Sequence, residues 1–339
     1  MDIREICLKL ADAAGVPGDE RAVCETAKEL LGRYADTHID RMNNVIGRIE
    51  GGGKRFLLDA HIDQIGLIVR GVNDKGFVLF DKCGGVDPRT LIGSEVTVYG
   101  REKLFGVVCS VPPHLAGDDD KLPEITKMAI DIGYGKAEAE KLVFPGDRII
   151  VRNRQNRLLG DRLSSAAFDD RAGVATLIRA VEILKDGGFN ADLTVMFSSQ
   201  EEIGGRGAKT GSFSNQADEA IVVDVTFADQ PGVDKEDCGK LGGGPLIGFS
   251  PVLDRQMSLN LVDAAKEHNI PYACEVMGRS TGTNADEISV SGRGIKTANV
   301  SVPLRNMHTA VEVIDLEDIE NSAKLIACYI LDNGGRENV

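Results

Sequence analysis

Histidines and carboxylates occur at five points along the chain, each beside the end of an apolar run or the start of a helical pattern. The residues are His61, Asp169, Glu202, Asp224 and His308. Their side chains are the nitrogen and oxygen donors of zinc-type sites, and groups that follow strands gather at one edge of an open α/β sheet. Two ions that share one carboxylate would each keep an open position, so the pattern predicts a catalytic site for two divalent metals.

Taken singly, these residues have ordinary structural alternatives. His61 could be a solvated histidine at the end of a strand, and His308 could be another. Asp169 and Asp170 precede an apolar helix and could satisfy its free amides, which is the favoured interpretation for Asp170. Asp224 could belong to a turn. The metal site is therefore predicted from the joint occurrence of the five residues, not from any one of them.

The segment TVMFSSQEEIGGRGA carries the strongest local signal, because a buried-type strand leads into Glu201 and Glu202 and then into a glycine-rich turn. Adjacent acids repel one another unless a cation or a proton lies between them, although two solvated loop glutamates are the alternative. In LLDAHIDQIG, Asp63 follows His61 by two residues. Both side chains then point to the same side of the strand, which suits a metal ligand and its orienting carboxylate.

The outer parts of the chain predict alternating helices and strands. Amphipathic helices are expected over about 3–14 and 19–34, followed by strands of which the second ends at His61. From about Asp169, helices and strands alternate again up to a closing helix over about 316–331. This alternation is typical of a sheet layered between helices.

The middle of the chain has a different pattern. Between about 65 and 160, short β-type runs are separated by Gly, Asp and Pro, with one helix near Lys136–Leu142. We therefore predict an α/β domain with a central mixed sheet, formed by residues 1–65 and 161–339. Residues 66–160 are predicted to be an inserted β-rich domain.

Composition excludes several classes of partner. The net charge of −14 repels phosphate backbones and anionic lipids, and the absence of Trp leaves few surfaces for stacking. The seven cysteines are odd in number and never spaced as CxxC, which favours a reducing compartment. The N-terminus is charged where a signal peptide is apolar, and no apolar stretch approaches the roughly 20 residues of a membrane span. We expect a cytoplasmic protein that binds neither nucleic acid nor membranes.

Five ordered motifs resemble those of the tetrahedral (TET) aminopeptidases, which include glutamyl, leucyl, lysyl and deblocking enzymes, some of them named endoglucanases. The motifs are DAHIDQIG, FDDRAG, SSQEEIGGRGA, VVDVTFAD, and STGTNADEI followed by VSVPLRNMHTAVE. The resemblance covers nearly the whole chain. It implies a di-zinc aminopeptidase fold with an inserted, β-barrel-like dimerisation domain. It also implies a homo-oligomer, in which dimers assemble into a tetrahedral dodecamer.

The resemblance further implies an activity, which is hydrolysis of the N-terminal residue of peptides that have a free amine. Two divalent metal ions per subunit would be needed, zinc first, with cobalt or manganese as alternatives. Glu201 would be the general base, and Asp63 would be the partner that orients His61. The resemblance implies that His61 and Asp224 hold the first ion, and that Glu202 and His308 hold the second. Asp169 would bridge the two ions.

Two other functions are alternatives. A glycoside hydrolase, or endoglucanase, needs two carboxylates on either side of a sugar, and the adjacent Glu201 and Glu202 fit that requirement poorly. An inactive metal-binding assembly protein would not need Glu201, so the presence of this residue favours catalysis. Three arginines could meet an acidic side chain of a substrate, although structural pairing is the commoner use of arginine. They are Arg255, Arg279 and Arg305.

Overall fold

A computed structural model describes residues 1–112, 114 and 124–334. Residues 113 and 115–123 of the predicted insertion, and 335–339 of the predicted α/β domain, lie outside the described residues. The helices are α1 Ile3–Asp12, α2 Arg21–Leu31, α3 Lys136–Leu142, α4 Phe168–Gly187, α5 Arg206–Ser214, α6 Arg255–Glu267, α7 Ala285–Ser289 and α8 Leu316–Gly334. The strands are β1 Asp36–Ile39, β2 Val45–Ile49, β3 Arg55–His61, β4 Gly66–Val72, β5 Val78–Cys83, β6 Glu95–Tyr99, β7 Lys103–Cys109, β8 Ala129–Asp131, β9 Arg148–Val151, β10 Asn156–Arg157, β11 Arg162–Ser165, β12 Asp192–Ser198, β13 Glu219–Phe227, β14 Leu246–Phe249, β15 Ala273–Val276, β16 Lys296–Leu304 and β17 Glu312–Asp315.

A mixed sheet forms the centre of the larger unit, with the strand order β1-β2-β12-β3-β13-β16-β14-β15. Its middle strands β12, β3, β13 and β16 are parallel, whereas β2 and β14 pair with them antiparallel. The parallel strands are apolar along most of their length because both faces of the sheet are covered. The core on one face includes side chains of α1, α4, α6 and α8, and the opposite face packs against α5 and α7. The predicted mixed sheet layered between helices is confirmed.

A closed barrel follows β3 in the chain, with the strand order β4-β5-β8-β7-β6-β9. Closure leaves no unpaired edge, and the interior is filled by a separate apolar core that includes Leu67, Phe80, Val98 and Ile149. The predicted β-barrel-like unit is confirmed, and so is the helix at Lys136–Leu142. The exact domain boundaries stay a prediction.

Short elements account for most differences from the sequence prediction. Strands β14 and β17 and helix α7 have at most five residues each, which is too short for a periodic pattern to identify. Helix α2 ends at Leu31, earlier than predicted, because the chain continues there as a turn in which the amide of Tyr34 donates to the carbonyl of Leu31, three residues earlier. In the part of the chain that the structure describes, no helix is long and apolar enough to cross a membrane.

Candidate metal centre

The parallel strands bring the candidate ligands to one edge and one face of the sheet. Strand pairing places His61 at the end of β3 opposite Ser198 at the end of β12, and Asp224 of β13 opposite Ser301 of β16. Successive side chains of a strand point to opposite faces. Because Val223 packs into the core beneath α4 and α8, Asp224 points to the other face, where it lines a cavity together with His61.

Asp169 lies at the centre of the five candidate ligands. Its Oδ1 is 3.0 Å from Nε2 of His61, and its Oδ2 is 3.1 Å from Nε2 of His308. Asp224 Oδ1 is 3.9 Å from Nε2 of His61, and Glu202 Oε1 is 3.5 Å from Nε2 of His308. The five residues that the sequence singled out therefore form two groups that share Asp169.

Both histidines present the same nitrogen to the carboxylates. His61 Nδ1 lies 3.1 Å from the carbonyl oxygen of Asp63, and His308 Nδ1 lies 3.2 Å from that of Gly85, in the segment after β5. Donation from Nδ1 to a carbonyl leaves the Nε2 lone pair for a metal. A side chain at Gly85 would prevent this contact, because its Cβ would lie 2.6 Å from Nδ1 of His308.

Asp170 has a larger role than the predicted helix cap. Residues 169 and 170 have non-helical backbone angles and are joined by a cis peptide bond. The capping role is confirmed, since Asp170 Oδ1 accepts a hydrogen bond from the amide of Gly173 at 3.1 Å. Asp170 Oδ2 also accepts from the amide of His61 at 3.2 Å, and ligand atoms of His61, Asp170 and Asp224 lie within 4.8 Å of one another. The helix cap thus fixes the strand end that carries His61.

The electrostatics of the cluster favour bound cations. Burial and repulsion from Asp169 raise the pKa values of Glu202 and Asp224 well above the ordinary range. Although burial opposes it, hydrogen bonds from His308 and His61 hold the pKa of Asp169 well below its usual value. More carboxylates are buried here than two histidines can neutralise, and divalent cations would remove the repulsion. Imidazole and carboxylate donors fit zinc, cobalt or manganese.

A cavity of about 430 Å³ opens over this cluster. It is lined by all five candidate ligands and by Glu201, and it continues past Thr226 and Ser301 toward strand β15. Convergent charged groups at the base of such a cavity are typical of an active site. The space beyond them can receive a side chain of a bound molecule.

Comparison with known proteins identifies the family. A family model described as M42 glutamyl aminopeptidase matches residues 43–325. The chain belongs to this M42 family. Lysyl aminopeptidase from Pyrococcus furiosus is 32% identical over 329 residues, which cover 95% of this chain and 94% of the relative. The predicted resemblance is confirmed, and membership in the M42 family makes the chain a peptide hydrolase.

Solved structures agree with this assignment to the M42 family. Aminopeptidase APDkam598 from the archaeon Desulfurococcus kamchatkensis has a TM-score of 0.91 and 32% identity, with 99% of both chains covered. The TET1 peptidase of Pyrococcus horikoshii has a TM-score of 0.86 and 31% identity, and 96% of this chain and 98% of that chain are covered. That peptidase can assemble into a tetrahedron or a large octahedral shell.

Asp63 connects the two glutamates of this M42 chain to strand β3. Its Oδ1 accepts a hydrogen bond from the amide of Glu201 at 3.0 Å, and its Oδ2 accepts from the amide of Glu202 at 3.2 Å. The same carboxylate is 3.7 Å from Nδ1 of His61, farther than the Asp63 carbonyl. Asp63 therefore contacts His61 chiefly through its backbone, while its buried carboxylate fixes the turn that presents both glutamates.

An Asp63→Asn variant is expected to lose roughly 10- to 100-fold in metal affinity and in activity, as removal of an outer-shell partner usually does. The reason is that an amide offers one acceptor oxygen where the carboxylate offers two to the Glu201 and Glu202 amides. Calorimetric metal titration measures the affinity. Asp254→Asn is a matched control, because Asp254 Oδ1 accepts from the amides of Gln256 and Met257 at 3.0 Å each, at the start of α6. Equal metal affinities of the two variants would contradict this role of Asp63.

Glu312 is a site residue that the sequence interpretation missed. This buried side chain accepts hydrogen bonds from the amide of Asp169 at 3.1 Å and from the amide of His308 at 3.0 Å. Glu312 thereby fixes two candidate ligands from different elements. The available signal was its position four residues after His308, at the start of β17, within the motif HTAVE.

Proposed function

We propose that the chain is a two-metal aminopeptidase that removes the N-terminal residue of peptides with a free amine. The position of Asp169 carries the proposal, because its two oxygens face histidines of two different groups. One ion would be held by His61 and Asp224, the other by Glu202 and His308, and Asp169 would serve both. Zinc is the ion that we expect, with cobalt or manganese as alternatives.

Metal ions bound at such a site would polarise the scissile carbonyl and would lower the pKa of the attacking water. Glu201 lines the same cavity but lies outside the close groups of candidate ligands. Its carboxylate would accept a proton as the water oxygen attacks the carbonyl carbon. It would return that proton to the leaving nitrogen as the C–N bond breaks. Asp63 holds the backbone of Glu201 in place for both transfers.

We also propose that the barrel mediates assembly into dimers and then into a tetrahedral dodecamer. One solved relative with a TM-score of 0.86 and 31% identity is a dodecamer. The barrel unit of this chain leaves large apolar side chains in solvent, including Ile92 at 48%, Phe105 at 52% and Phe144 at 43% exposure. Exposed apolar side chains of this size supply the contacts of protein interfaces where they form a contiguous patch. The cytoplasmic location stays a prediction.

An assay of aminoacyl-p-nitroanilides, each with an N-acetylated counterpart, tests the proposed activity. Purified protein should cleave only the substrates with a free amine, lose this activity when a chelator removes metal, and regain it with zinc, cobalt or manganese. Equal cleavage of the acetylated substrates, or activity that resists chelation, would contradict the proposal. Release of reducing sugar from a β-glucan by the same preparation would instead support the glycoside hydrolase.

A further inference from the structure

Glu275 is a half-buried acid that lines the cavity, and the proposed catalytic steps do not use it. It lies on strand β15, and its carboxylate accepts hydrogen bonds from the hydroxyls of Ser301 and Thr226, the latter at 2.9 Å. Both donors are neutral, and among the described residues no cationic side chain is a partner of Glu275. Each carboxylate oxygen has two lone pairs, so both retain acceptor capacity toward a bound molecule.

The two hydroxyls place this carboxylate beside the candidate metal centre. Ser301 is the direct neighbour of Asp224 across the β13–β16 pair, at a strand spacing of roughly 5 Å. Thr226 follows Asp224 by two residues on the same face of β13, a rise of about 7 Å. Glu275 is thus separated from Asp224 by a single side chain, that of Ser301 or of Thr226. A substrate whose amine lies at the metal centre would direct its first side chain toward Glu275.

Outside the candidate metal centre, the charged side chains that line the cavity are all acidic. Beyond the candidate ligands and Glu201, its charged lining residues are Glu236 and Glu275, and the described lining includes no lysine or arginine. None of the three arginines considered from the sequence lines it. Arg305 is paired with Asp229 at 2.6 Å, and Arg255 lines a separate surface depression. An acidic substrate side chain would therefore be buried without a cation, whereas a basic one would meet Glu275.

We propose that Glu275 is a specificity-determining residue that selects peptides beginning with lysine or arginine. This inference rests on the proposed aminopeptidase function, since that function brings the first residue of the substrate to this cavity. The ammonium or guanidinium group would donate hydrogen bonds to the Glu275 carboxylate, which Ser301 and Thr226 hold in place. The glutamyl preference in the description of the family would then not extend to this chain.

Rates with p-nitroanilides of Lys, Arg, Leu and Glu, measured on the metal-reconstituted protein, test the proposal. We expect kcat/KM for Lys and Arg to exceed that for Leu at least tenfold, with Glu slowest. In Glu275→Gln the ratio of Lys to Leu should fall at least tenfold, mainly through KM for Lys. Glu267→Gln removes an exposed acid from the end of α6 that does not line the cavity, and it should leave the ratio at the wild-type value.

Several results would overturn the proposal. Wild-type preference for Leu or Glu would do so without any variant, and so would a Glu275→Gln protein with the wild-type ratio of Lys to Leu. If Glu275→Gln does not fold, Glu275→Asp, which withdraws the carboxylate by one methylene, should lower the ratio to a smaller extent. Failure to cleave any free-amine substrate would overturn the proposed function itself, a result distinct from cleavage without a basic preference.

Discussion

A Glu201→Gln variant is expected to bind two metal ions per chain but to turn over aminoacyl substrates roughly 10²- to 10⁴-fold more slowly than the wild type. Glutamine has nearly the same shape as glutamate, but it cannot accept and return a proton at neutral pH. Retention of metal is expected because the candidate ligand groups contain His61, Asp169 and Glu202 but not Glu201. Steady-state rates and metal analysis of the purified variant measure the two properties separately.

Glu202→Gln is the matched control, because it makes the same change one residue later. In the proposed site Glu202 is a ligand, 3.5 Å from Nε2 of His308, so this variant should lose affinity for one metal ion. Glu201→Gln should therefore keep both metal ions, whereas Glu202→Gln should bind one of them more weakly. Unchanged turnover in Glu201→Gln would exclude the general-base role, and metal loss in that variant would make Glu201 a ligand instead.

Replacing His308 with alanine should weaken the binding of one metal ion by more than the roughly 10- to 100-fold that loss of an outer-shell partner costs. Its Nε2 faces Asp169 and Glu202, whereas the group around His61 and Asp224 would keep its own ligands. Calorimetric titration should then resolve one site close to the wild-type affinity and one much weaker site. The activity should fall because the weaker site is less often occupied by metal.

A second histidine near acids provides the control for His308→Ala. His268 groups with Glu267 and Asp332, outside the predicted motifs and outside the cavity lining, and its Nε2 is 3.1 Å from Asp332 Oδ2. We expect His268→Ala to leave both metal affinities and the activity unaltered. If His308→Ala instead binds two ions as the wild type does, the assignment of His308 as a ligand is wrong.

The sequence predicted those site residues that follow an apolar run in a long, buried element. His61 ends β3, and Asp224 follows the run AIVV within β13, so both polar residues are conspicuous. Parallel pairing then fixes which ends meet. The barrel was predictable for a related reason, since its short strands are separated by turn residues within a stretch that has few helical patterns.

Other parts of the site depend on tertiary contacts that no local pattern records. Glu312 and Glu275 lie on strands of four residues, and each acts through partners from distant segments. The amide contacts of Asp63 with Glu201 and Glu202 likewise join elements that are separated by 138 and 139 residues. Acidic side chains are ordinarily exposed, so a cluster of buried acids is not expected from any local pattern. Such a cluster can be identified only once the fold brings the acids together.

Titration of metal-free protein with zinc, with binding and hydrolysis of a free-amine substrate followed in parallel, tests the two-metal centre most directly. We predict that binding saturates at two ions per chain and that full activity requires both, because Asp169 is shared between two ligand groups. Saturation of binding and activity at one ion per chain, or full activity without added metal, would contradict a centre built around Asp169.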